Sequence, residues 1–334
     1  MSKHLNQPPD QTITELASRT QPNTRVGRDD RDEQKRETIS SQAGVDAAGS
    51  PKGDQPLFPG RAFISTVLDV VDSKKTMSGD LTGKYLQRAI MAGLFVGIFF
   101  TAYFVIMGQA SLDPDNHGLM LSGKVLAATT FGWALVLIYY TNSELLTSNM
   151  MVVTIGAYHK RLGWLTSLRI LALCLLGNLI GALIVAVIVR FSSIVSGPTM
   201  AQMLAASSTK IGYVSGGFMG FADLFVRGIL CNFCINIAML MVYNGKLSND
   251  FTKCIIMVVA VFVFAFCGFE HSIADSALFL ILGTFGKVNA LKAILVVIVA
   301  MLGNYVGGGI LIGLNFATMN DERHFNAGGT NDGD

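Results

Sequence analysis

"GFEHSIADS", residues 268–276, lies inside a hydrophobic stretch long enough to cross a membrane, yet it holds Glu270, His271 and Asp275 within six residues. Ionisable groups in hydrocarbon are costly, and where they occur they mark substrate and proton pathways. The segment is therefore either wrongly assigned to a span or the working part of the protein. The sequence around it decides which.

The chain has 334 residues, is 51% hydrophobic and carries 14% charged residues. Windows of roughly 19 residues pick out hydrophobic stretches at 87–108, 124–158, 162–190, 218–243, 251–285 and 289–315, which predicts an all-α membrane protein with six transmembrane helices. Stretches 124–158 and 251–285 exceed the roughly 20 residues that a straight helix needs to cross a core of about 30 Å. Each must tilt, protrude or break.

Outside the spans the reading is simpler. Residues 1–61 lack the apolar run of a signal peptide and, rich in Gln, Asp, Ser, Thr, Gly and Pro, read as a disordered polar tail. The first 80 residues hold 11 Lys/Arg against 12 Asp/Glu, a balance that argues against a nucleic-acid partner. Residues 62–83 read as an amphipathic juxtamembrane helix on the membrane surface, because apolar positions in "AFISTVLDVVDS" (62–73) recur at helical spacing. Residues 84–317 are expected to form a six-helix transmembrane domain and 318–334 a cytoplasmic C-terminal tail. Lys74, Lys75, Lys84, Arg88, Lys160, Arg161, Lys246, Lys253 and Arg323 flank one side of the spans, against Lys124, Arg190, Lys210, Lys287 and Lys292 on the other. The positive-inside rule then puts both termini in the cytoplasm of a plasma-membrane protein. All five cysteines fall in expected spans, so no disulfide framework is expected. Cys231 and Cys234 form a C-x-x-C, but with one histidine in the spans and no second cysteine pair, neither a metal site nor a cofactor is expected.

Two motifs recur at the same distance. Glu144 opens "ELLTSN" and Gly177 opens "GNLIGALI"; Glu270 opens "EHSIAD" and Gly303 opens "GNYVGGGI"; both separations are 33 residues. A weaker echo joins "RAIMAG" at Arg88 to "RGILCN" at Arg227. Three spans followed by three similar spans run in opposite directions through the bilayer, the inverted repeat of channels and transporters. Each polar hexapeptide then marks a break in an overlong span, helices 2 and 5, since unwound backbone at that depth must be buried in protein or line a water-filled path.

The residue types at the breaks suggest roles. Small residues four apart, Gly177 with Gly181 and Gly303 with Gly307, let membrane helices pack closely. Asn178 and Asn304 are expected to hydrogen-bond the freed backbone, and Glu144 and Glu270 to accept backbone N–H groups there. Half-helices starting at about Asn149 and about Ser276 would aim two N-terminal dipole ends at one small anion, beside the hydroxyls of Thr147 and Ser148. His271, the only histidine in any expected span, would stay largely neutral in apolar surroundings yet can donate a hydrogen bond or lend a proton. Arg169 and Arg227 are expected to be structural.

At "RGILCN" (227–232), "FEHSIAD" (269–275) and "ELLTSN" (144–149) the chain resembles the formate/nitrite transporter family over roughly residues 62–320. The resemblance implies homopentamers of aquaporin-like protomers, each with its own pore for small monovalent acid anions such as formate, nitrite, lactate, acetate or hydrosulfide. By position, His271 looks like the family's central histidine and Asn232 like its nearby asparagine partner. Leu145, Leu146 and Thr147 look like the loop of the first break; Phe131, Leu135 and Phe264 look like apolar constrictions; Lys210 looks like the vestibule lysine. The sequence departs from the family at Asp275, where Asn is usual, and at Leu146, which replaces a common Phe. A bare anion between apolar rings would carry the cost of a buried charge, so the pore is expected to pass the neutral acid and to be linked to protons.

Other classes fit less well. Aquaporins cap both half-helices with Asn-Pro-Ala, but no proline lies between Pro114 and Pro198 or beyond it. An intramembrane enzyme would need a metal constellation, a serine–lysine pair or paired aspartates on facing spans, and the sequence supplies none. A scaffold would leave two matched polar breaks without a purpose.

Overall fold

The structure, a computed structural model, describes residues 60–113 and 115–321. The tails expected over 1–61 and 318–334, with Arg323, lie outside these residues apart from Gly60, Arg61 and the stretch 318–321. Every regular element among the described residues is helical. The order is α1 (Arg61–Gly79), α2 (Thr82–Ala110), α3 (His117–Tyr140), α4 (Leu146–Tyr158), α5 (Trp164–Arg190), α6 (Gly197–Ser215), α7 (Gly217–Tyr243), α8 (Asp250–Cys267), α9 (Ser272–Thr284) and α10 (Ala290–Asn304). α10 continues through π-helical turns at Tyr305–Leu314 into α11 (Asn315–Met319).

Among the described residues, six helices are long and apolar enough to cross a membrane: α2, α3, α5, α7, α8 and the continuous segment Ala290–Met319. Asparagine side chains start three of them. Asn116 accepts the Leu119 N–H at 3.0 Å, Asn249 that of Thr252 at 3.2 Å and Asn289 that of Lys292 at 3.0 Å, satisfying N–H groups that a helix start leaves unpaired.

The two overlong stretches are broken spans. After α3 the chain turns through residues 141–145, with Asn142 in the left-handed region at φ 52, and re-enters as α4. After α8, Gly268 takes φ 71 and the Phe269 N–H returns to the Phe264 carbonyl at 2.9 Å, a left-handed helix terminus that favours glycine. The half-helices start at Leu146 and Ser272 rather than near Asn149 and Ser276. Side-chain caps described below supply the partners that let each helix begin so soon after its glutamate.

The halves are built alike and run in opposite senses, giving two inverted three-helix repeats in an aquaporin-like arrangement. α2 packs along α5 as α7 packs along α10. A side chain on Gly181 would strike the Ile90 carbonyl, and one on Gly307 the Ile229 carbonyl, so glycine sets both approaches. The half-helices are exchanged: α4 lies on the π-helical turns of the second half, and α9 lies on α5 of the first.

α1 and α6 complete the repeat. α1 buries Phe63, Ile64, Val67 and Val71 against the bundle, and the Phe63 ring meets Phe316 edge-on at 6.1 Å. Its apolar stripe thus packs on protein. α6 was not expected from hydropathy, because its composition is too polar for a span. Its buried stripe, Thr199, Met203 and Ser207, has helical spacing, but two of the three residues are polar, so apolar periodicity does not reveal it. Each of these helices leans on the half-helix and on the first and third spans of its own half.

Candidate functional site

At the first break Asn178 holds three backbone groups. Its Oδ1 accepts the Leu146 N–H at 3.0 Å, and its Nδ2 donates to the carbonyls of Ala89 and Glu144, both at 2.8 Å. Asn304 repeats the pattern: Oδ1 accepts the Ser272 N–H at 3.0 Å, and Nδ2 donates to Gly228 at 2.8 Å and Glu270 at 2.9 Å. The Glu144 N–H reaches the Arg88 carbonyl at 3.1 Å and the Glu270 N–H the Arg227 carbonyl at 3.3 Å. The weak sequence echo between Arg88 and Arg227 therefore marks equivalent backbone acceptors.

The two glutamate side chains do something other than expected. Each is paired with a lysine: Glu144 with Lys74 of α1 and Glu270 with Lys210 of α6. Asparagines take the backbone work, and a buried carboxylate is better held by an opposite charge. The Glu144 carboxylate also accepts the Asn149 amide at 3.0 Å. Lys74, read from sequence as an exposed flanking charge, is thus a buried pair member whose side chain is 12% exposed. Nothing local signals these pairs, because the partners lie 70 and 60 residues apart.

His271 caps α9. Its Nδ1 accepts the Ala274 N–H at 3.0 Å, and Nε2 lies 3.1 Å from Thr147 Oγ1. With Nδ1 an acceptor, the neutral ring carries its proton on Nε2 and donates to Thr147. Three N–H groups at the half-helix starts are thereby occupied, by Asn178, Asn304 and His271, leaving less of the dipole ends for an anion than the sequence suggested.

Asn232 does not hydrogen-bond His271. Its Nδ2 donates to the carbonyls of Thr147 at 3.1 Å and Asn304 at 2.7 Å, tying the two breaks together. Asn236, one turn on and not singled out from sequence, donates to the same Thr147 carbonyl at 3.2 Å and to Asn232 Oδ1 at 2.9 Å. Arg227 pairs with Asp223 at 2.9 Å and donates to the Gly268 carbonyl at 2.9 Å; Arg169 donates to Thr82 at 3.3 Å.

Around these residues lie three cavities. One, of about 420 Å³, opens beside Lys74, Arg88, Glu144 and Ser148. A second, also about 420 Å³, opens beside Lys124, Lys210, Arg227, Glu270 and Asp275. A small apolar chamber of about 20 Å³ lies between them in lining: it shares Leu135, Ile138 and Leu145 with the first and Phe131, Phe264 and His271 with the second. The Phe131 and Phe264 rings meet edge-on at 5.9 Å, and Phe264 stacks on His271 at 5.8 Å. Leu146 and Thr147 line none of these cavities: Leu146 is buried behind Leu145, and Thr147 bonds His271.

Two cavities that share lining residues with one apolar chamber beside His271 are thus placed on a repeat of broken spans, and both the sequence and the fold of the chain are matched by known proteins. The family described as "Formate/nitrite transporter" matches residues 62–318. The chain belongs to the formate/nitrite transporter family. It is 28% identical over 250 residues to "Uncharacterized transporter YwcJ" of Bacillus subtilis, covering 72% of this chain and 90% of that one. It is 27% identical over 291 residues to "Formate channel FocA" of Escherichia coli, covering 79% and 96%. The solved structure "Pentameric formate channel with formate bound" superposes with a TM-score of 0.58 at 24% identity, covering 72% of this chain and 98% of that one. As a family member the chain is a multi-pass membrane protein.

Proposed function

We propose that this chain forms a passive pore for small monovalent weak-acid anions, with formate or nitrite as the preferred cargo, and that passage is linked to a proton. It is on this reading a transporter rather than an enzyme, assembled as a homopentamer in the plasma membrane with both termini in the cytoplasm. The observation that carries the reading is the pair of lysine-bearing vestibules on either side of a chamber of about 20 Å³ lined by Phe131, Leu135, Leu145 and Phe264. Cationic side chains draw an anion into each vestibule. The chamber is small and apolar, so a bare charge pays a desolvation penalty of several kcal/mol there, and each 1.4 kcal/mol slows passage about tenfold. The neutral acid avoids most of that barrier. Family membership supports the substrate class, as do a relative named as a formate channel and a structural relative titled with bound formate.

The test offers purified protein in liposomes a panel of radiolabelled formate, nitrite, acetate, lactate and hydrosulfide at two pH values, with glycerol as a neutral control. Formate and nitrite are expected to enter fastest, faster at the lower pH and nearly without current. Steady currents indifferent to pH would mean an open anion channel, and glycerol flux alone would mean a neutral-solute pore.

A further inference from the structure

The inverted repeat exposes one place where the halves differ in charge. Five residues after Glu144 stands Asn149; five residues after Glu270 stands Asp275. In the first half Lys74 and Asn149 both serve Glu144, so one ammonium and one carboxylate balance. In the second half Lys210 pairs with Glu270 and, at 2.8 Å, with Asp275 Oδ1, so one ammonium meets two carboxylates. Asp275 is 1% exposed, and its Oδ2 has no hydrogen-bond partner. An amide at the equivalent position donates to its glutamate; a carboxylate cannot, whereas a carboxylic acid can.

We propose that the carboxyl groups of Glu270 and Asp275 share one proton between them beside the Lys210 ammonium, and that this acid, in the lining of the second vestibule, is a proton donor to the anion entering there. Both side chains line that cavity next to His271. His271 is poorly placed for the task, because Nδ1 is engaged as the α9 cap and the ring can take a second proton only by opening it. In the transfer, the carboxyl O–H bond breaks, an O–H bond forms on the anion, and the carboxylate left behind is reprotonated by hydronium from the vestibule. Lys210 keeps its charge throughout.

The other titratable groups around the pair do not replace it. From α7 come Cys231 and Arg227, the latter bound to Asp223; from α6 comes Tyr213 beside Lys210. Tyr103 of α2 and Lys124 of α3 line the far wall, and α5 and α10 place no titratable side chain in this cavity. Glu270 and Asp275 are the only carboxyl groups among the described residues lining this cavity; Asp223, held by Arg227, does not line it.

The role in transport rests on the pore reading above; the proton itself does not. Full-length protein in lipid, labelled with carboxyl-¹³C aspartate and glutamate in separate preparations, is followed by infrared spectroscopy through a pH titration. A protonated-carboxyl carbonyl band is expected at neutral pH, shifted by one of the labels and absent from the pentamer-forming D275N, whose new side chain copies Asn149. No such band in the unmutated protein, or the same band in D275N, overturns the proton site. Should D275N fail to assemble, the isotope shift alone decides. Acid-stimulated formate uptake from the Lys210 side is expected to lose most of its pH dependence in D275N. An unchanged profile with the band lost would make the proton structural and overturn its role in transport. Absence of any anion flux would remove the pore reading and leave the proton site standing.

Discussion

Thr147 Oγ1 and His271 Nε2, 124 residues apart in sequence, meet at 3.1 Å where the two broken spans face each other. The contact joins the first residues of one half-helix to the cap of the other, and the Thr147 carbonyl is held at the same time by Asn232 and Asn236. The histidine is thus oriented by both halves of the repeat.

Replacing Thr147 with Val keeps the shape and leaves the Nε2–H buried without an acceptor, a loss of about 1–3 kcal/mol. Formate flux through T147V is expected to fall roughly tenfold, on the scale of 1.4 kcal/mol per decade, while T147S stays near the parent rate. Equal rates for both variants in liposome efflux would mean that the ring is oriented by its cap alone.

Asn178 and Asn304 each satisfy three backbone groups in equivalent places. Alanine at either leaves buried backbone groups unpaired at about 1–3 kcal/mol apiece. Both variants are expected to lower the thermal midpoint of the detergent-solubilised protein by similar amounts. A large drop for one and none for the other would contradict the equivalence of the two breaks.

How much of this was legible beforehand divides along physical lines. The spans, the two breaks and the inverted repeat follow from hydropathy and from polar hexapeptides recurring at one spacing, which are local properties of the chain. The roles of Asn178 and Asn304 follow from the same logic, since a break frees backbone groups and an amide can both donate and accept. The pairs Lys74–Glu144 and Lys210–Glu270 were hidden, because a long-range ion pair leaves no periodic trace and Lys74 looked like an ordinary flanking charge. α6 was hidden by its polarity. Leu146, which the resemblance groups with Leu145 in the loop of the first break, opens α4 instead, and adjacent residues at a helix start point in different directions: Leu145 lines the chamber and Leu146 is buried in the core.

The first of those pairs can be measured through its coupling. Lys74→Met strands the Glu144 charge in a site where its side chain is 6% exposed, and breaking a buried pair from one side costs about 3–5 kcal/mol. K74M is expected to be strongly destabilised, and the double variant K74M/E144Q to recover much of the loss. Additive losses in thermal melts of the four proteins would show that the two side chains do not depend on each other.

Phe264 stands between Phe131 and His271 in the narrow chamber. Truncation to alanine widens a constriction that excludes hydrated ions by making dehydration costly. F264A is expected to admit chloride and larger monocarboxylates and to show measurable current. Selectivity and rate indistinguishable from the parent protein would make Phe264 a packing residue rather than part of the barrier.

His271→Asn separates the ring's two possible tasks. Asparagine is a good helix cap and can take over the Ala274 N–H that Nδ1 now accepts, while its amide retains a donor for the neighbourhood of Thr147. What it cannot do is titrate. Because the Nδ1 lone pair is committed to the cap in the resting protein, the ring is expected to orient partners rather than supply the transported proton. H271N should therefore assemble and retain acid-stimulated, nearly electroneutral formate flux, at a lower rate because the donor geometry is altered. His271→Ala removes both the cap and the donor and is expected to lose stability as well as flux. If H271N assembles but its flux no longer responds to pH, the imidazole is itself the proton carrier, and the cap must open in every transport cycle.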